Sequence, residues 1–188
     1  SIKSYLSTFF VRFCERSAFY VVRPGAWDGL KLVGRFERLL ANRSFFMFYL
    51  HPQLDKDCIV VGDFPLCRLL LSKDSRYPWF ILVPRKQDIT EIFQLSESDQ
   101  AQLSRESIHL SRTLHQVYEA DKLNVAALGN MVSQLHIHHI VRYHGDDAWP
   151  APVWGRLPAK AYKPGDIARR LEPLRLALRE DFKFAETA

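Results

Sequence analysis

Apolar residues recur along this chain with two periods, and the switches between them mark its elements. The runs 58–62, 65–71 and 77–84 are dense in Val, Ile, Leu and Phe and are bounded by Gly, Pro or Asp. That texture predicts three strands, the first two joined by a turn at Gly62 and Asp63. Before them, 45–50 is an apolar run that reads as a strand or a helix end, and 51–57 reads as a turn. The stretch 88–93 predicts a short helical turn. The period then lengthens. Ser96 followed by Glu97 and Asp99 has the form of a helix start. Leu103, Ser107, Leu110, Leu114 and Val117 repeat at spacings of four and three, the stripe of a helix running to about residue 119. A strand is expected at 122–128, with a tight turn at Gly129 and Asn130 folding the next strand back against it. In that next strand the alternation is strict. Gln134, His136, His138 and Ile140 fall on one side, and Leu135, Ile137, His139 and Val141 on the other. Ile167, Leu171, Leu174 and Leu178 predict a terminal helix that Pro173 is expected to bend or interrupt. Short strands around one long helix indicate an α+β fold with a mostly antiparallel sheet.

Composition changes this picture little. Hydrophobic residues make up 47% and charged residues 25%, which suits a folded soluble domain. The sequence contains no apolar stretch long enough to predict a membrane span. Cys14, Cys58 and Cys67 have no metal-type spacing and read as reduced, packed thiols of a cytoplasmic protein.

Charge is more informative when divided. The first 45 residues hold eight Lys/Arg against three Asp/Glu, whereas the remainder holds 18 of each. The basic balance therefore belongs to the N-terminal segment and gives no reason to expect nucleic acid on the rest of the chain. Three roles are open to residues 1–45: an added segment outside the domain, a packing or dimerising arm, or an arm for a membrane surface or nucleic acid.

The chemistry concentrates in the alternating strand. His136 and His138 stand side by side on one face with Gln134 next to them, giving donors, acceptors and a group that titrates near neutral pH. As a bland alternative, they are polar residues on a solvent-facing strand. A metal reading would add His51, His144 or Asp146 as further ligands, although spacing fixes no third ligand. His139 points to the opposite face and reads as a core or interface histidine, and His109 and His115 as surface residues. Trp149 and Trp154 stiffen the loop after the strand, either covering the core or closing the mouth of a site.

The run from Gln134 to Ile140 resembles the active-site strand of the histidine-triad (HIT) superfamily of nucleotide hydrolases and transferases, which alternates three histidines with apolar residues. The similarity extends over 46–158 and includes the Trp-Pro stretch at 147–155. It is strongest toward bacterial proteins of the diadenosine-polyphosphate-hydrolase type. Residues 1–45 and 159–188 then become an N-terminal extension and a C-terminal helical extension.

The resemblance implies a five-stranded HIT-like fold and a two-fold dimer acting on a nucleotide, with no cofactor and no membrane partner. It implies that His136 attacks the α-phosphate of a dinucleoside polyphosphate or nucleoside phosphoramidate, and that His138 donates to a phosphoryl oxygen. Asn130 and the backbone at Gly129 would help hold phosphate, and Asp74 or Ser72 would meet the ribose. Two departures stand out. Gln134 occupies the place of the first triad histidine; an amide can position phosphate but cannot exchange a proton near pH 7. Phe80 is expected where many relatives carry a fourth histidine. A nucleotide-binding protein that has lost turnover is therefore the alternative.

Overall fold

The computed structural model of the protein describes residues 48–178 and 182–186. The expectations for residues 1–45 and for Cys14 lie outside them. Within them the elements are α1 (Pro52–Asp57), β1 (Cys58–Asp63), β2 (Cys67–Ser72), β3 (Trp79–Pro84), a 3-10 turn (Ile92–Gln94), α2 (Glu97–Val117), β4 (Lys122–Ala126), β5 (Ile137–Arg142), α3 (Asp166–Ala177) and β6 (Lys183–Phe184). The strands form one six-stranded sheet in the order β4-β5-β3-β2-β1-β6, and every pairing is antiparallel.

The α+β class is as expected, but the sheet has six strands rather than five. The sixth is two residues long, too short for any alternation to show, and it pairs with β1 at Gly62 and Asp63. Gly62 makes room for it. A Cβ there would stand 2.7 Å from the Phe182 ring and would run into the Lys183 carbonyl. Residues 51–57, expected as a turn, hold the short helix α1, with His51 Nδ1 accepting from Gln53 N–H at its start.

Helix α2 forms where its stripe predicts. Ser96 Oγ accepts from Asp99 N–H at 3.2 Å, and Glu97 and Asp99 sit in the positive first turn. Leu103, Leu110 and Leu114 are buried against the sheet; replacing one such Leu by Ala costs about 2–5 kcal/mol. Glu106 is buried between them. Its carboxylate accepts from the backbone N–H of Leu66 and Cys67 at 2.8 and 2.9 Å, fixing the helix against the start of β2. Helix α3 runs without interruption through Pro173 and buries Leu171 and Leu174 in the same core.

The opposite sheet face carries two smaller apolar clusters. One is centred on Leu70, Ile81 and Val83, the other on Tyr77, Ile140 and Val153. The tight turn expected at Gly129 and Asn130 is replaced by an irregular segment over 127–136. Gly129 does adopt a left-handed φ of 70°, but the chain then leaves the ladder. Leu135 N–H bonds the Ile89 carbonyl at 2.8 Å instead of a strand partner.

Candidate active site

Strand register decides which histidine faces what. Phe80 pairs with His139 and Ile81 with His138, and directly opposed residues share a face. His139 therefore lies with Phe80 under α2. His138 lies with Ile81 and Trp79 on the other face, where a cavity of about 710 Å³ opens. That volume suits a small organic ligand. Its walls come from α1, the end of β2, β3, Met131 and Val132, and the stretch 153–159. Two other hollows, of about 540 and 690 Å³, contain no histidine, so chemistry rather than volume singles out this one.

His136 stands just ahead of β5, with its ring centroid 4.9 Å from that of His138. Its Nδ1 lies 2.7 Å from the Gln134 carbonyl oxygen. A carbonyl can only accept, so Nδ1 carries a proton, and in the neutral ring the lone pair is on Nε2. His138 has the complementary arrangement. Trp79 Nε1–H donates to its Nδ1 at 2.9 Å, which leaves the ring proton on Nε2. Burial, then the neighbouring His136 and His139, push the His138 pKa down to about 3. The cavity thus contains one imidazole with a free lone pair and one neutral imidazole that can donate.

Asp74 is buried at the cavity wall. Its Oδ1 accepts from the backbone N–H of Arg76 and Lys160, at 3.2 and 3.1 Å. Ser72, also on the wall, accepts through Oγ from Asp74 N–H at 3.2 Å. The loop after β5 supplies the facing wall. It is fixed by Arg142, only 1% exposed, which forms a two-pronged ion pair with Asp146 at 2.6 and 3.0 Å and donates to Asn124 and to the Ala151 carbonyl. That anchorage sets Trp154 against His138, with ring centroids 5.4 Å apart. The loop therefore forms part of the site rather than only a cover for the core.

The other expected residues lie elsewhere. The Gln134 side chain does not line the cavity. Its Oε1 accepts from His51 N–H and its Nε2 donates to the Tyr49 carbonyl, each at 2.9 Å. Gly129 and Asn130 are also absent from the walls, where Met131 and Val132 stand instead. The expectation that Phe80 replaces a site histidine is corrected: Phe80 is fully buried on the α2 side, and Trp79 is the residue that meets His138. The alternation of β3, registered against β5, carries that signal.

The additional metal ligands considered from sequence are also committed elsewhere. His144 pairs with Asp121 at 3.1 Å, Asp146 pairs with Arg142, and His51 caps α1. Among the described residues no cluster of three or more His, Cys, Asp or Glu is placed to hold a metal.

Comparisons with known proteins agree with this fold. The HIT domain family model matches residues 53–145. A histidine triad protein of Bradyrhizobium japonicum is 45% identical, with a TM-score of 0.69 over 71% of this chain and 99% of its own. One from Sinorhizobium meliloti is 40% identical, with a TM-score of 0.68 over 70% of this chain and 97% of its own. One from Marinobacter aquaeolei is 47% identical, with a TM-score of 0.66 over 71% of this chain and 99% of its own. Comparison with curated proteins gives no match. The chain belongs to the histidine triad family. Among the described residues no helix is long and apolar enough to cross a membrane.

Proposed function

We propose that this protein is a nucleotide hydrolase or nucleotidyl transferase that works through a covalent nucleotidyl-His136. The observation that carries the reading is the pair of fixed tautomers: His136 with Nδ1–H on a backbone carbonyl, His138 with Nδ1 on an indole. A neutral imidazole whose lone pair is free is a competent nucleophile toward phosphorus. His136 Nε2 attacks the α-phosphate of a dinucleoside polyphosphate or nucleoside phosphoramidate. The Gln134 carbonyl then stabilises the positive charge that forms on the substituted ring. His138 Nε2–H donates to a phosphoryl oxygen as charge develops there, in a wall of low polarity that strengthens the bond. Water or another acceptor releases the nucleoside monophosphate.

Asp74 is proposed to accept from the ribose hydroxyls, with Ser72 holding its backbone. Gly129 and Asn130, the phosphate holders expected from sequence, would have to reach the ligand from outside the cavity walls. The active part of the chain is taken as 46–158, in a cytoplasmic homodimer.

The test is incubation with an adenylyl substrate followed by mass spectrometry without acid. An adenylated peptide containing His136 is the expected result. Normal turnover by His136→Ala would eliminate the mechanism.

One observation favours a second reading, a nucleotide-binding protein without turnover: Gln134 cannot act as an acid, and its amide is engaged with residues 49 and 51. That reading predicts nucleotide affinity with no product and no adenylated peptide.

A further inference from the structure

The two anchors on the histidines limit which leaving groups the cavity can release. An indole nitrogen has a proton to give and no lone pair with which to accept. The 2.9 Å bond from Trp79 therefore requires an unprotonated Nδ1 on His138. Adding a proton to that ring means breaking the bond, inside a wall where the ring also packs on Trp79 and Trp154 at centroid distances of 5.5 and 5.4 Å. Burial acts in the same direction, holding the ring neutral down to about pH 3. His136 commits its only N–H to the Gln134 carbonyl. Gln134 has no titrating group, and its amide is turned to Tyr49 and His51.

The remaining titratable groups on the walls are Lys56, Asp57, Cys58, Lys73 and Asp74. Lys73 Nζ donates to the Lys56 carbonyl at 2.6 Å, Asp57 accepts from Gln53 at 2.6 Å, and Asp74 is held by backbone N–H groups. Burial pushes the Cys58 thiol up to about 12. Lys56 itself is exposed on α1.

We propose that this site selects substrates whose leaving group departs as a stable anion, namely phosphoanhydrides of a nucleoside monophosphate, and that Trp79 is the positioning residue that imposes the choice by fixing His138 as an Nε2–H donor. The inference rests on the nucleotidyl-histidine reading. With an anhydride, the His136 Nε2 lone pair forms the N–P bond while the bridging P–O bond breaks. Its electron pair leaves on the distal phosphate, which needs no proton at neutral pH. Water then adds to phosphorus, the N–P pair returns to Nε2, and the proton of the water passes to solvent. With an alkylamine leaving group, the P–N bond breaks only once nitrogen is protonated, and neither histidine supplies that proton.

The test compares diadenosine tetraphosphate with an adenosine phosphoramidate of a simple alkylamine, each in single turnover on the full chain, following adenylation of His136. Cleavage of the anhydride at least about 10²-fold faster is expected, the scale of a missing general acid. Equal rates overturn the selectivity. Absence of adenylation with both substrates instead overturns the nucleotidyl-histidine reading and the selectivity built on it.

Side-chain nitrogen NMR of His138 tests the role of Trp79 separately, between about pH 5 and 8. The wild-type ring is expected to stay an Nε2–H neutral tautomer throughout. In Trp79→Phe the bond that reserves Nδ1 as an acceptor is gone, so an Nδ1–H tautomer should appear beside Nε2–H, and the preference for anhydride should narrow by roughly tenfold. In the wild type, an imidazolium near neutral pH or an Nδ1–H tautomer overturns the assignment.

Discussion

His138 and His139 are adjacent in sequence and both buried, yet they serve opposite faces of the sheet. Burial lowers both pKa values, His138 to about 3 and His139 to about 4. The difference lies in how their nitrogens are satisfied. His139 is bonded at both, with Nδ1 at 3.2 Å from the Ile137 carbonyl and Nε2 at 2.8 Å from Ser107 Oγ on α2. His138 is bonded at Nδ1 alone, and its ring lines a cavity. The first is a closed structural joint, whereas the second keeps a donor for something not part of the protein. A buried histidine is therefore informative through its unfilled valence rather than through burial or an altered pKa.

The largest expected effect falls on the cavity face. His136→Ala should lower turnover by on the order of 10⁴-fold, the scale for losing a nucleophile. Its thermal unfolding should stay close to that of wild type. A variant that keeps its rate would remove the functional distinction between the faces.

Next is Asp146→Ala, which leaves the Arg142 guanidinium buried without its counterion. Urea unfolding should show a loss of about 3–5 kcal/mol. Because the pair holds the loop bearing Trp154, nucleotide affinity should fall even at temperatures where the variant remains folded. Affinity equal to wild type would detach the loop from the site.

Acid should weaken both faces together. The unfolded chain takes up protons at histidine near pH 6.5, while the folded chain resists until about pH 4 at His139 and about 3 at His138. Between those limits the unfolded state binds more protons, so stability rises with pH and is lost as pH falls. The slope is up to about 1.4 kcal/mol per pH unit for each histidine. Unfolding curves from pH 7 down to about 4.5 measure it, and His139→Gln should remove roughly half. An unchanged slope would show that His139 is not held neutral.

The smallest effect belongs to the closed joint. Ser107→Ala should cost about 1 kcal/mol, as for one hydrogen bond, with turnover unchanged. A loss of activity here would mean that the two faces communicate.

Much of this architecture was legible from local pattern. The stripe Leu103, Leu110 and Leu114 gives α2 because a helix must bury one side, and strict alternation gives the opposite facing of His138 and His139. The histidine pair, Asp74 and Ser72 line one cavity; alternation put the two histidines on one face, whereas Asp74 and Ser72 were expected from the family resemblance alone. What escaped depends on contacts distant in sequence. Gln134 looks like a site residue until Tyr49 and His51 are found beside it, more than 80 positions away. Trp79 is recognisable only when β3 is registered against β5, since one step of slip exchanges it with Phe80. The 127–136 segment defeats the tight-turn expectation because Leu135 bonds Ile89, while the two strands on either side of it still pair antiparallel as expected.

Gly62 has an effect larger than its size. With only hydrogen at that α-carbon, Phe182 and the Lys183 carbonyl can lie directly on β1. Any methyl group there would hold the tail away and leave the outer rim of β1 with unpaired amides, open to another chain. Whether this protein closes its own sheet, or offers that rim to a neighbour, turns on a single absent carbon.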